Sequence, residues 1–512
     1  MLFLGMFVRQ KKNKSGSVSV QIISKSSGKY KVVKTIGSSH DPQKINSLVD
    51  QARFEICRQQ RQGSLFISQE SSVVEGFLST LSNSQVRVIG PELVFGRVYD
   101  HIGYGDIQET LFRHLVVCRL VYPGSKSQTV DYLHRYRGID ISVDSIYRFL
   151  DKLRDGLKEE VEQITFNHTK KILGQHIGLV FYDMTTLHFE ASREDDFRKR
   201  GYSKTGKHQL PQIYIGLLVG AKGYPIGYEA FEGNIYEGHT LIPILQHFEA
   251  KFSLSKPIVV ADAGLLSKTN LAELQNHGYK YILGARIKNE SLAVRRQILN
   301  MQLSDKEHAI IKKDKAQRLI IHHSDKRAKQ DAYNRQRGLN RLEKKLNAGR
   351  LTKSHINNRG YNKYLIMKGK IDIEIDYDKF TQDQQWDGLK GYITNSRLGP
   401  QKIIDNYRHL FHIERAFRIS KSDLKIRPVY HRLKDRIDAH LCIAFSAYAV
   451  YKELERVLTL DKTNISATRA GELTQNMYEL DVVLPDTGEP KRILLQMTPE
   501  QAALYNTVIK CF

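Results

Sequence analysis

The stretch IGLVFYD at 177–183 decides the fold. Six uncharged residues rich in β-branched and aromatic types predict a strand buried on both faces, and an acid, Asp183, ends the run. The pattern returns at 257–262, PIVVAD, where a second apolar strand ends on Asp262. Between them, apolar runs at 213–219 and 224–232 flank a turn at 221–223 and predict a hairpin, followed by a helix at 240–252. Beyond Asp262 come a helix at 268–276 and a strand at 279–287. This is the pattern of an α/β domain whose helices cover a sheet. An Asp after an apolar strand is most often a turn or cap residue. Two of them in one domain, at strand ends where α/β sheets gather ligands, mark Asp183 and Asp262 as candidates for chemistry.

Working outward, the composition shifts at 288–385. Residues 305–370 are dense in Lys, Arg, Asn and Gln, with a polar helix at 335–346 and short strands at 364–367 and 371–375. We read this as a basic subdomain inserted into the α/β domain, which resumes with GYIT at 391–394. Long helices are predicted at 400–421 and 433–457. On the first, Tyr407, Leu410, Glu414, Phe417 with Arg418, and Lys421 fall on one side at helical spacing. Glu414 is thus a third candidate carboxylate, with a plain ion pair to Arg418 as the alternative. Toward the N-terminus, two strands within 6–38 and a helix at 42–61 form a small basic sheet, suited either to a DNA groove or to a structural role. Helices at 127–137 and after Ser142, separated by Gly138, form either a helix-turn-helix or an ordinary hairpin. The expected division is 1–65, a small sheet plus helix; 66–170, a helical region; 171–287, the first part of the core; 288–385, the insertion; 386–460, the second part; and 461–512, a tail region.

Charge points to the partner. Across 512 residues, 79 Lys and Arg face 55 Asp and Glu, a net +24, which suits a polyanion such as double-stranded DNA. The four cysteines form no CxxC pair, so neither a zinc ribbon nor a redox motif is indicated. The apolar opening at 1–8 is far short of the roughly 20 residues that span a bilayer. A soluble cytoplasmic protein with no membrane partner is expected. GxxxxGK[ST], HExxH and GxSxG are absent from the sequence, which sets aside a nucleotide-driven motor and the usual protease and esterase chemistries. Three carboxylates are hard oxygen donors that suit two Mg²⁺, or Mn²⁺, ions positioned for phosphoryl transfer. His412, His431 and His440 are not assigned to that metal, and the single Trp386 is read as a core residue rather than a base-stacking one.

The segments FYDMTTLHFE, VVADAGLLS and YRHLFHIERAFRISKSDLKIRP resemble, in this order, the three catalytic blocks of bacterial insertion-sequence transposases of the Asp-Asp-Glu class. More narrowly they resemble the branch with a Tyr-Arg-Glu-Lys signature, over roughly residues 175–457. The resemblance implies an α/β ribonuclease-H-like core interrupted by an insertion before the Glu helix. It implies Asp183, Asp262 and Glu414 as catalytic ligands of two Mg²⁺ ions, and Tyr407 and Lys421, seven residues to either side of Glu414, as groups that handle phosphates. The signature Arg four residues before the Glu is Leu410 here, so Arg408, Arg415 or Arg418 takes its part or the phosphate contacts differ. Lys204, in the basic loop 201–208, is a further candidate DNA contact. The resemblance also implies cut-and-paste transposition, binding of terminal inverted repeats by the N-terminal ~160 residues, a homodimer on DNA and a place at the bacterial nucleoid. A nuclease of the same fold, or a DNA-binding protein without catalysis, is the alternative.

Overall fold

The computed structural model describes residues 6–26, 29–60, 77–79, 81–153, 156–174, 177–191, 193–203, 206–252, 255–265, 267–314, 316–357, 360–368, 372–427, 429–484 and 487–512. The chain divides into two compact units, 1–87 with 478–496, and 88–477 with 497–512. No helix among the described residues is long and apolar enough to cross a membrane.

In the first unit, β1 (Met6–Lys12), β2 (Val18–Ser26) and β3 (Lys29–Ser39) form an antiparallel sheet, and α1 (Pro42–Gln60) lies on it. Val20 and Ile22, alternate residues of β2, pack with Val49, Ala52 and Ile56 of α1, so period 2 meets the helical repeat in one small core. A short strand, β4, spans Val86–Val88.

The second unit has, after short helical turns over 92–106, α2 (Thr110–Val121), α3 (Lys126–Tyr132), α4 (Val143–Lys152) and α5 (Leu157–Ile172). The Ser142 hydroxyl accepts the Ser145 N–H and caps α4, and Gly138 takes the left-handed conformation that ends the preceding turn. The sheet follows: β5 (Leu179–His188), β6 (Gln212–Val219), β7 (Pro225–Glu232), α6 (Leu241–Phe252), β8 (Ile258–Ala261), α7 (Lys268–Asn276), β9 (Lys280–Ala285), β10 (His308–Lys312) and β11 (Arg318–His323). Next come α8 (Asp325–Asn347), the hairpin β12 (Leu365–Lys368) and β13 (Asp372–Ile375), α9 (Tyr377–Gln384) and β14 (Leu389–Thr394). The eight-stranded order is β10-β11-β14-β9-β8-β5-β6-β7. β5, β8 and β9 run parallel, and the pairs to either side are antiparallel. This mixed sheet with helices is compatible with a ribonuclease-H-like core.

Residue parity divides the sheet. Val180, Tyr182, Val259 and Ala261 face one core with α6 and α7. Phe181, Leu187 and Val260 face a larger core built with α10 (Pro400–Arg408), α11 (Phe411–Ser422) and α12 (Lys434–Leu460). The chain then continues through α13 (Ala467–Thr474), the hairpin β15 (Tyr478–Val483) and β16 (Pro490–Leu494), and α14 (Pro499–Cys511).

The structure corrects four readings of the sequence. Asp183 does not end its strand: β5 runs on to His188, because Asp183 through His188 stay paired with β6. The helix expected over 400–421 is two, α10 and α11, and Glu414 lies in the first turn of the second rather than mid-helix. The chain tightens here: the His409 amide is shared between Asp405 and Asn406, and those of Leu410 and His412 turn back three residues instead of four. The polar stretch after 305 contains β10 and β11, which extend the main sheet, and their Ile311, Leu319 and Ile321 close a small core against which Trp386 packs. Residues 461–512 form two helices and a hairpin.

Candidate functional site

Strand register assembles the site. Tyr182 pairs with Ala261, and Ala261 with Leu283. The next row across the sheet is therefore Asp183, Asp262 and Gly284, with Tyr392 of β14 opposite Gly284. Asp183 shares the parity of Phe181, and Asp262 that of Val260, so both stand on the face covered by α10–α12. β8 ends at Ala261, so Asp262 directly follows its strand, while Asp183 is still within the neighbouring β5.

Asp183 is half-buried, and its Oδ1 accepts the Met184 N–H at 2.7 Å. Asp262 is exposed, and its Oδ1 accepts the hydroxyl of buried Tyr407 at 3.1 Å. Burial first, then the charge and hydrogen bond of Asp262, then Tyr392 and Glu414, hold the Tyr407 phenol well above its ordinary range, so it stays a donor. Lys390 reaches over the same ring, with Nζ 4.4 Å from the centroid. Burial, then Arg327, lower its proton affinity, while Asp262 and Glu414 oppose them. Glu414 itself is exposed on α11, with its charge felt at Tyr407 and Lys390. At the far end of α11, the Lys421 ammonium donates to the hydroxyl of Thr185, two residues beyond Asp183 on the same side of β5.

The structure therefore gathers Asp262, Tyr407, Lys390 and the charge of Glu414 around one point, with Asp183 in the adjacent strand and Lys421 against that strand. Among the described residues no group of three Asp, Glu, His or Cys is close enough to hold one metal ion. The donor chemistry nonetheless fits a hard divalent cation, because all three candidate ligands are carboxylates and two follow paired residues of neighbouring strands.

The three arginines go elsewhere. Arg408 pairs with Asp405 at 3.2 Å and reaches His322 at 3.4 Å, Arg415 pairs with Glu455, and Arg418 is exposed. Leu410, at the signature position, is buried in the core. Lys204 lies outside the described residues.

A cavity of about 570 Å³ opens beside Asp262 and Tyr407, with Arg286, Lys288, Arg327 and Lys390 among its walls. Part of this charge is internally balanced: Lys288 meets Asp383 at 2.9 Å, and Arg327 meets Asp331 at 3.3 Å.

The sequence reading missed Lys390 and Gly284. Lys390 directly precedes the GYIT strand, and a charge entering a buried strand was a visible signal. The reason for Gly284 needs coordinates: a Cβ there would lie 2.5 Å from the Tyr407 hydroxyl and 3.1 Å from the Ala263 nitrogen. Gly284→Ala is expected to push Tyr407 off Asp262 and cost about 10- to 100-fold in DNA cleavage, the range for partners one step removed from a metal. Steady-state cleavage alongside a melting curve checks this; full activity in a folded variant would remove Tyr407 from the site.

Residues 174–450 match the family model described as "Transposase DDE domain", more than half of the chain. The chain belongs to the DDE transposase family. Among solved structures it is similar to the protein of "Cryo-EM structure of piggyBac transposase synaptic complex with hairpin DNA (SNHP)", with 10% identity over 75% of this chain and 76% of that one, and a TM-score of 0.38. No curated protein matches the sequence. Membership makes this a DDE-type DNA transposase, and the matched span contains Asp183, Asp262, Tyr407, Glu414 and Lys421.

Proposed function

We propose that this transposase works by cut-and-paste: it cleaves DNA at the ends of a mobile element and joins the freed 3′-hydroxyls to target DNA, using Asp183, Asp262 and Glu414. The observation that supports the reading is the parallel pairing of Tyr182 with Ala261, after which Asp183 and Asp262 are the next residues of the two chains, with the charge of Glu414 felt at Tyr407 beside Asp262. Two Mg²⁺ or Mn²⁺ ions bound by these carboxylates would supply an activated attacking oxygen and charge stabilisation of the leaving one. The protein's remaining task is positioning. Tyr407 donates to Asp262 and fixes the direction of that carboxylate. Lys390 and Lys421 place positive charge to either side, suited to the phosphate being cut. Arg408, Arg415, Arg418 and Lys204 are proposed DNA contacts farther out.

Within this reading the chain is of the bacterial insertion-sequence type with a Tyr-Arg-Glu-Lys-like signature, whose Arg is replaced at Leu410. Residues 1–65 and 66–170 bind the terminal inverted repeats, 288–385 separates the two parts of a ribonuclease-H-like core (171–287 and 386–460) while lending β10 and β11 to its sheet, and 461–512 follow it. A homodimer on DNA holds both ends, acting in the cytoplasm at the nucleoid.

The test is a strand-transfer assay on element-end DNA with Mg²⁺. Joined products that vanish with EDTA and return with Mg²⁺ or Mn²⁺ are expected. Cleavage without joining would make this a nuclease of the same fold, and binding without either reaction a DNA-binding protein that has lost catalysis.

A further inference from the structure

A second cavity, of about 450 Å³, lies between α3, α4 and the segment that follows α11. Its walls carry Arg119, Lys126, Lys425, Arg427, His431 and His440, and among the described residues no carboxylate. Ser125, Ser127 and Gln128 add further hydrogen-bonding side chains at its rim. Arg119 and His440 are buried, at 9% and 4% exposure. The Arg119 guanidinium, with five N–H donors, makes two long hydrogen bonds, 3.4 Å to the Lys425 carbonyl and 3.5 Å to His440 Nδ1. A nearby acid, Asp151, is already gripped by Arg436 at 2.5 and 2.7 Å. Burial holds the Lys126 ammonium down to about 7, with Arg119 adding to it.

Burying cations without a counter-charge is costly, and structural sites normally supply an acid. Burial holds His431 and His440 neutral, which leaves four basic side chains, Arg119, Lys126, Lys425 and Arg427, and no acid among the described wall residues. Such a cavity is shaped for an anion, and a guanidinium with open donors suits the oxygens of a phosphate. Its position says which phosphate. Arg427, on the cavity wall, also acts on His188, whose proton affinity is lowered first by burial, then by Lys207, Arg427 and Lys421. His188 ends β5, the strand that carries Asp183. Positive charge thus runs from the candidate active site through Lys421 and Arg427 into the cavity.

We propose that this cavity seats a backbone phosphate of the DNA substrate, away from the point of cleavage, and so holds the duplex in register. The inference rests on the DNA-transposase reading and adds to it a binding site with named residues. It also accounts for a buried arginine left without an acid, as a cost carried by the free protein and relieved on binding.

The test uses the full chain and a random-sequence duplex, since phosphate binding needs no specific sequence. For Lys126→Gln/Lys425→Gln and, separately, Arg119→Met, the dependence of log affinity on log salt is expected to become shallower by about 1 for each phosphate that the variant no longer neutralises. Arg119→Met is also expected to melt no lower than the parent protein, because it removes a buried charge held by two long hydrogen bonds and, among the described residues, by no acid. Slopes unchanged in both variants, or a marked drop in melting temperature for Arg119→Met, would overturn the proposal. A third arm compares melting in inorganic phosphate and in chloride at equal ionic strength. Stabilisation by phosphate that Arg119→Met abolishes, with DNA slopes unchanged, would make this a free-phosphate site and overturn the DNA assignment. Parent protein that binds and cleaves DNA while the cavity variants match it sinks this inference alone. Parent protein that neither binds nor cleaves DNA sinks the reading beneath it.

Discussion

Asp262→Asn is expected to stop DNA cleavage and strand transfer while leaving DNA binding in place. Asp262 is exposed, and the Tyr407 hydroxyl that holds it keeps an acceptor in the amide oxygen, through a weaker neutral bond. The change should therefore cost little stability. It removes one negative charge from the proposed metal site and leaves a weak neutral ligand for a hard cation. Losing a partner one step removed from a metal already costs 10- to 100-fold, so losing a ligand should exceed about 100-fold. Asp183→Asn should act alike, and the double variant should cost little more than either single one, because groups that act as a unit are not additive. Cleavage of labelled end DNA, read beside binding of the same DNA, checks this. A loss of binding parallel to the loss of cleavage would point to a structural role instead.

The second large effect is on stability. Glu453 on α12 is fully buried, and Arg456 grips both of its oxygens, at 2.5 and 2.9 Å. His168 Nε2 lies 3.3 Å away, and His101 Nε2 3.7 Å. Burial alone would raise this carboxyl, but the hydrogen bonds from Arg456 and the nearby His168 ring outweigh it and hold the group below its ordinary range. Glu453→Leu leaves Arg456 and His168 without their acid and is expected to cost about 3 kcal/mol, the lower end for a broken buried pair, since Arg456 keeps some access to water. The sign of the pH effect follows. The folded pKa lies below the unfolded one, so this stabilisation is present above the ordinary Glu range near 4.5 and is lost as pH falls through the lower folded value. Melting temperature followed from neutral pH into acid should fall more steeply for the parent than for the variant. Parallel curves would show that Glu453 is not ionised in the folded state.

Much of this was legible in the sequence, for identifiable reasons. The strands at 177–182 and 257–261 are apolar on both faces, so their place in the middle of a sheet followed from composition alone. The hairpin about 221–223 and the cap at Ser142 were equally local signals. What the sequence hid depends on register and on tertiary packing. That Asp183 and Asp262 follow neighbouring residues of the sheet comes from the pairing of Tyr182 with Ala261, two residues far apart in the chain. β10 and β11 escaped notice because their apolar residues are few and sit among lysines and histidines, yet pairing with β14 was enough to bury Leu319, Ile320 and Ile321. The split between α10 and α11 left no proline or glycine as a marker. The cationic cavity draws on α2, α3, α4 and α12, whose nearness no spacing reveals.

Everything proposed for this transposase depends on three carboxylates sharing divalent cations. A crystal structure of the protein bound to element-end DNA with Mn²⁺, located by its anomalous scattering, tests that directly. Mn²⁺ is expected beside both Asp183 and Asp262, with carboxylate oxygens at roughly 2.0–2.2 Å and Glu414 drawn in to complete the site. Manganese bound elsewhere, or Asp183 and Asp262 turned away from an ion that sits at the cut phosphate, would contradict it.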